Sequence, residues 1–291
     1  MILDLVEAFF RYDFMQRALL GSIMLSLGSA PVGVFLTVRR MSLTGDAMAH
    51  AILPGAAIAY LLFGLQVLPM TVGALAAGLA VVVGSGAMSR LTVQGEDASL
   101  AAFYLMSLSV GVLLVSLKGS SVDLLNVLFG SILALDNQSL SLIGVISTIT
   151  LVALFGLWRG LMAECLDPLF LRAVSGLGPL IHLVLLVLVV LNLVSGFQAL
   201  GSLLSVGLMI LPAVVARFWS DRLLTMCLIA VFIAMASSVL GLALSYVASL
   251  PSGPAVILCA GAIYLVSAVV GPKGVLGSRL TKSKSGKGIH E

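Results

Sequence analysis

Read from its first residue, the chain alternates long apolar runs with short breaks marked by polar residues, glycine or proline. Nine runs are of the length a helix needs to cross the hydrocarbon core of a bilayer, about 20 residues. They cover roughly 14–38, 46–63, 66–89, 97–117, 138–158, 178–195, 199–217, 224–249 and 254–270. The pattern therefore predicts an all-α fold, a polytopic transmembrane helical bundle, occupying 1–291 as a single transmembrane domain. Residues 1–13 read as an amphipathic lead-in at the interface, with Phe9 and Phe10 against lipid and Asp4, Glu7 and Arg11 facing water. Residues 120–135 are apolar but too short to span, and read as a re-entrant or interfacial helix.

Charge orients this layout. With the loops after spans one, three, five, seven and nine on one side, that side holds twelve of the fifteen basic residues: Arg39, Arg40, Arg90, Arg159, Arg172, Arg217, Arg222, Lys273, Arg279, Lys282, Lys284 and Lys287. The other side holds Arg11, Arg17 and Lys118. The positive-inside rule then puts the amino terminus outside and the carboxyl terminus in the cytoplasm. The same rule accounts for the basic tail without a nucleic-acid partner. Residues 272–291, with the small and polar run Ser283–Gly288, are expected to be a disordered cytoplasmic tail. Composition agrees: 60% of the chain is hydrophobic and 9% charged, against about 25% charged in a soluble domain. The lipid bilayer is thus the first partner, and a multi-pass place in the cytoplasmic (inner) membrane is expected. Thirty glycines favour close helix packing in lipid. Cys165, Cys227 and Cys259 show neither a disulfide framework nor CxxC spacing. Asp4 and Glu7 stand where a signal peptide would carry basic residues.

Ionisable residues inside spans are expensive and mark candidate sites. The stretch MSLTGDAMAHAILPG, Met41 to Gly55, sets Asp46 and His50 four apart, on one face of a helix. Carboxylate oxygen and imidazole nitrogen together suit zinc or manganese. Gly45 before the pair and Pro54–Gly55 after it are potential helix breaks, and broken helices line transport cavities. The alternative is that Asp46 caps the helix and His50 pairs with it locally. Two ligands do not complete a coordination shell, so a second copy of the chain, water or further residues would have to contribute.

A second stretch, ALGSLLSVGLMILPAVVARFWSDR, suggests a span ending near Leu211–Pro212. A short helix would then carry Arg217, Phe218 and Trp219 towards Asp221 and Arg222. Such a projection can dock into a groove of a soluble partner; the alternative is a plain turn with Trp219 at the lipid interface. Glu96 and Asp97 suit a helix amino terminus, and His182 stands alone near the start of span six. Asp123, Asn126 and Asp136 flank the re-entrant stretch, where they would line an outer vestibule. With no GxxxxGK[ST] phosphate loop, no HExxH and no GxSxG, the sequence argues against an enzyme and puts any ATP hydrolysis on a partner chain.

These residues resemble the permease subunits of zinc and manganese, and sometimes iron, uptake ABC transporters. The likeness runs from about Phe14 to Gly271 through FMQRALLGSIMLSLGSAPVGVFLTVRRMSLTGDAMAHAILPG, GEDASLAAFYLMSLSVGVLL, LFGSIL, LDPLFLRAVSG and ALGSLLSVGLMILPAVVARF. It implies that Asp46 and His50 are metal ligands in the translocation path. It also implies that Pro212 to Trp219, with Asp221 and Arg222, form a coupling helix against a cytoplasmic ATP-binding subunit. A homodimer and an extracytoplasmic metal-binding protein are implied too, with the ion as cargo and no permanent cofactor. The acidic and His-rich loops of some zinc permeases are missing; the chain has three histidines, His50, His182 and His290. The competing class is an ion-coupled secondary metal transporter or channel, which would need several buried carboxylates. Asp46 follows Arg40 by six residues, so a site at mid-membrane requires the connection between spans one and two to dip into the bundle.

Overall fold

The computed structural model describes residues 12–64, 66–93, 95–117, 135–166, 171 and 176–275. Eleven helices and no strand occupy them: α1 Asp13–Val38, α2 Ser42–Ala51, α3 Leu53–Phe63, α4 Val67–Leu91, α5 Glu96–Leu117, α6 Asn137–Gly156, α7 Trp158–Leu166, α8 Gly178–Leu200, α9 Ser202–Trp219, α10 Leu223–Ala248 and α11 Ser252–Val270. Nine stretches among them are long and apolar enough to cross a membrane, with α2 and α3 acting as one, Ser42–Phe63. The protein is a multi-pass membrane protein. The expected spans agree with these to within a few residues. The lead-in, the stretch 120–135 and the basic tail fall outside the described residues, apart from Tyr12, Asp13, Leu135 and residues 272–275.

Two expectations are corrected. The fifth span stops at Gly156, and after the turn at Leu157 a separate helix, α7, follows that hydropathy had not resolved. The seventh span, expected over 199–217, is not broken near Leu211–Pro212 either. Helix α9 runs unbroken to Trp219 with Pro212 buried inside it, so Arg217, Phe218 and Trp219 form its last turn rather than a helix of their own. The proline removes one backbone bond, whereas ending a helix in an apolar setting would strand several.

Helices α1 and α8 form the centre: 72% of each spanning stretch is buried, against 17% for α5 at the periphery. Helix α1 packs against α6, α8, α9 and α10. Its serines need no outside partners, because Ser22, Ser26 and Ser29 donate to the carbonyls of Ala18, Ser22 and Leu25 one turn back, at 2.6–2.7 Å. Gly33 makes the tightest crossing, since a Cβ there would overlap the backbone carbonyl of Met209 in α9. Small residues at such crossings let dispersion act between helices that lipid does not squeeze together.

Candidate functional site

The site begins at the turn joining α1 to α2. The Arg40 amide donates to the Thr37 carbonyl at 3.1 Å and the Met41 amide to that of Leu36 at 2.9 Å, the pair of bonds that closes a Schellman cap. That cap needs a left-handed residue, usually glycine; here it is Arg40, with φ of 61°. A side chain in this conformation costs about 1 kcal/mol or more and persists where surrounding contacts over-determine it. Those contacts are present. Val32 to Thr37 and Met41 are buried, Trp158 of α7 packs edge-on to Phe35 at 5.6 Å, and Arg217 at the end of α9 donates to the Thr37 carbonyl at 3.2 Å.

Helix α2 carries Asp46 and His50. Gly45 does not break it. The residue lies inside the helix, and a Cβ there would sit 2.8 Å from Met209 Cε and 3.0 Å from Ile210 Cδ1, so its missing side chain seats α2 on α9. Nor is Asp46 a cap, since the N-cap is Met41 and Asp46 is in the helix interior. Asp46 Oδ1 and His50 Nε2 lie 3.9 Å apart, with 64% and 37% of the side chains exposed. That separation is beyond hydrogen bonding, so each keeps a lone pair for a third group. At 1.5 Å of rise per residue, Asp46 sits about 6 Å and His50 about 12 Å along the span from Ser42.

The break comes after the pair, at Ile52, where Pro54 opens α3. Ser107 of α5 donates to the Ala51 carbonyl at 2.9 Å, which satisfies backbone at the discontinuity. Among the described residues, no group of three or more His, Cys, Asp or Glu is placed to hold a metal ion. No third His, Cys, Asp or Glu among the described residues therefore joins the pair.

The other sequence candidates gather at the end of α9. Arg217, Trp219, Asp221 and Arg222 are exposed, while Pro212 is buried and Phe218 half-buried. Phe218 stacks at a tilt on Tyr264 of α11, with centroids 5.8 Å apart. Asp221 pairs with Lys273, whose amide donates to the Phe218 carbonyl. The segment is thus a firm surface turn presenting charged and aromatic groups. Asp136 is the N-cap of α6 and accepts from the Ser139 amide at 2.9 Å. Hydrogen bonding from Ser139 holds its carboxyl below the usual carboxylate range. Asp123 and Asn126 lie outside the described residues.

Sequence reasoning missed a largely buried polar chain. Arg39 pairs with His182 Nδ1, His182 Nε2 pairs with the Glu96 carboxylate, and Arg39 Nη1 lies 3.4 Å from Glu164 Oε1. Glu164 is 1% exposed and the side chains of Arg39 and His182 about 10%, while that of Glu96, at the open end, is 36% exposed. Burial beside Glu164 also pushes the Cys165 thiol up to about 12, with Arg39 pulling the other way. In one dimension Arg39 reads as a flank charge, His182 as a lone histidine and Glu96 as a helix-start acid, and Glu164 carries no signal of its own. The usable signal was that all four belong to the same side of the predicted topology.

Comparisons with known proteins bear on the chain as a whole. The profile of the ABC 3 transport family matches residues 11–271. Manganese transport system membrane protein MntC of Listeria monocytogenes is 32% identical over 94% of this chain and 97% of its own. Manganese import system permease protein ScaB of Streptococcus parasanguinis is 31% identical over 94% and 96%. The solved structure of PsaBC from Streptococcus pneumoniae in complex with Fab superposes with a TM-score of 0.83 at 28% identity, covering 94% of this chain and 97% of the other.

Proposed function

The chain belongs to the ABC 3 transport family, and on that premise we propose that it is the membrane-spanning permease subunit of an ATP-driven importer of a divalent transition metal, with manganese the leading ion. One observation carries this reading: a carboxylate and an imidazole stand 3.9 Å apart, open, on a helix within a bilayer-spanning stretch. Carboxylate oxygen suits manganese and imidazole suits zinc and iron as well; the names of the relatives favour manganese. Two donors make a weak site, as suits an ion that must be released.

A carboxylate exposed to 64% on a span is costly against lipid. In this reading a second copy of the chain covers that face, and its residues or water complete the shell. The whole chain acts as one transmembrane domain with its amino terminus outside and its carboxyl terminus inside. A cytoplasmic ATP-binding subunit docks on the end of α9, where Arg217, Trp219, Asp221 and Arg222 face out over Pro212 and Phe218. ATP binding and hydrolysis there drive alternating access, and an extracytoplasmic metal-binding protein delivers the ion.

The test is uptake of radioactive manganese into liposomes holding the permease with its ATP-binding subunit, with ATP inside and the binding protein outside. Uptake should require ATP, and zinc and ferrous iron added as competitors rank the ions. Asp46→Ala and His50→Ala should each reduce uptake on the order of 100-fold while assembly persists. Uptake without the ATP-binding subunit, or uptake that survives both substitutions, refutes the reading.

A further inference from the structure

The chain Glu96–His182–Arg39–Glu164, partly open at Glu96 and buried at Glu164, joins the starts of α5 and α8 to the end of α1 and to α7. Its protonation pattern follows from donors and acceptors. A guanidinium only donates, so His182 Nδ1 must accept from Arg39. The proton of a neutral imidazole then sits on Nε2, where it is donated to the Glu96 carboxylate. A doubly protonated imidazole would turn an N–H towards the guanidinium. The two carboxylates flank opposite ends of the chain, one on the Nε2 side of the ring and one behind Arg39. They do not converge as ligands would, and no group of three or more potential ligands is found among the described residues.

Arg39 is also the residue before the left-handed Arg40, in the turn from which α2 rises. From the other side, Arg217 at the end of α9 holds the Thr37 carbonyl of the same turn. Helix α2 packs against α5 and α8, which carry the far members of the chain. We propose that His182 is a positioning residue: as a relay between Arg39 and Glu96, it fixes the turn that leads into the Asp46–His50 helix, so that motion of the α9 end reaches the ion pair rather than being lost in the turn. This inference rests on the importer reading above and adds to it how the ion site is tied to the driven end.

The experiment measures manganese uptake and ATP hydrolysis in parallel, in liposomes bearing the full complex. His182→Ala should leave hydrolysis within about twofold of the parent while ions moved per ATP fall roughly tenfold, the scale of an ordinary coupling energy. His182→Gln should restore most of the ratio, because its amide oxygen can accept from Arg39 and its amide nitrogen can donate to Glu96. Three results overturn the relay while leaving the importer reading intact: His182→Ala with an unchanged ratio, uptake and hydrolysis falling in proportion as in a merely damaged fold, or His182→Gln no better than His182→Ala. A parent complex that hydrolyses ATP yet moves no manganese, zinc or iron overturns both.

Discussion

Among the described residues stand two acid–imidazole pairs of nearly the same chemistry in opposite settings. Asp46 and His50 sit one turn apart on a single helix, separated by 3.9 Å and substantially exposed. Glu96 and His182 come from helices far apart in sequence, are in direct contact, and have Arg39 on the second ring nitrogen. In the first pair, donor capacity remains for an ion. In the second, both nitrogens are occupied and the imidazole acts as a joint between helices. A carboxylate beside a histidine is therefore no metal signature by itself; what matters is whether lone pairs are left over and whether they converge.

The largest expected effect breaks the closed side of this comparison. Arg39→Met leaves Glu164, 1% exposed, without its cation, and loss of one partner of a buried pair costs about 3–5 kcal/mol. Unfolding in detergent should show that loss. Combining Arg39→Met with Glu164→Leu should recover most of it, because the cost is that of a stranded buried charge. A double variant no more stable than Arg39→Met would mean that Arg39 acts through some other contact.

A smaller effect probes how the open pair is seated. A methyl at Gly33 would run into the backbone carbonyl of Met209, whereas a methyl at Gly45 would meet only the flexible ends of Met209 and Ile210. Gly33→Ala should cost about 1–3 kcal/mol, as overpacking does. Gly45→Ala should stay within about 1 kcal/mol, because the gain in helix propensity offsets the rearrangement. Equal losses at the two positions would show that α1 and α2 rest on α9 in the same way.

The smallest effect uses Asp136, a carboxylate in neither pair, as a control for capping. Asp136→Ala should cost about 1 kcal/mol at neutral pH. The folded-state carboxyl titrates below its ordinary value because Ser139 hydrogen-bonds it. The unfolded chain therefore takes up the proton first on acidification. The stabilisation is fully present above the ordinary carboxylate range and is lost as pH falls through the depressed folded value. Unfolding of the parent and of Asp136→Asn compared across that range should converge towards the acid end; a constant difference would remove the cap from the explanation.

By itself, the sequence determined the number and placement of the spans among the described residues, because the need to satisfy backbone groups in lipid makes long apolar runs helical regardless of their neighbours. It also put Asp46 and His50 on one face, since i,i+4 spacing within a helix is local geometry. Tertiary structure alone decided the rest. Whether Gly45 and Pro212 would break a helix depended on the cost of ending one against α9 or inside the bundle, and both stretches stayed helical. Glu96, His182, Arg39 and Glu164 come together only when α1, α5, α7 and α8 pack, and pairing between residues up to 143 positions apart leaves no trace in hydrophobic periodicity. The position of Arg40 was equally hidden: its left-handed backbone is imposed by the contacts that bury the turn, against the local preference of its side chain.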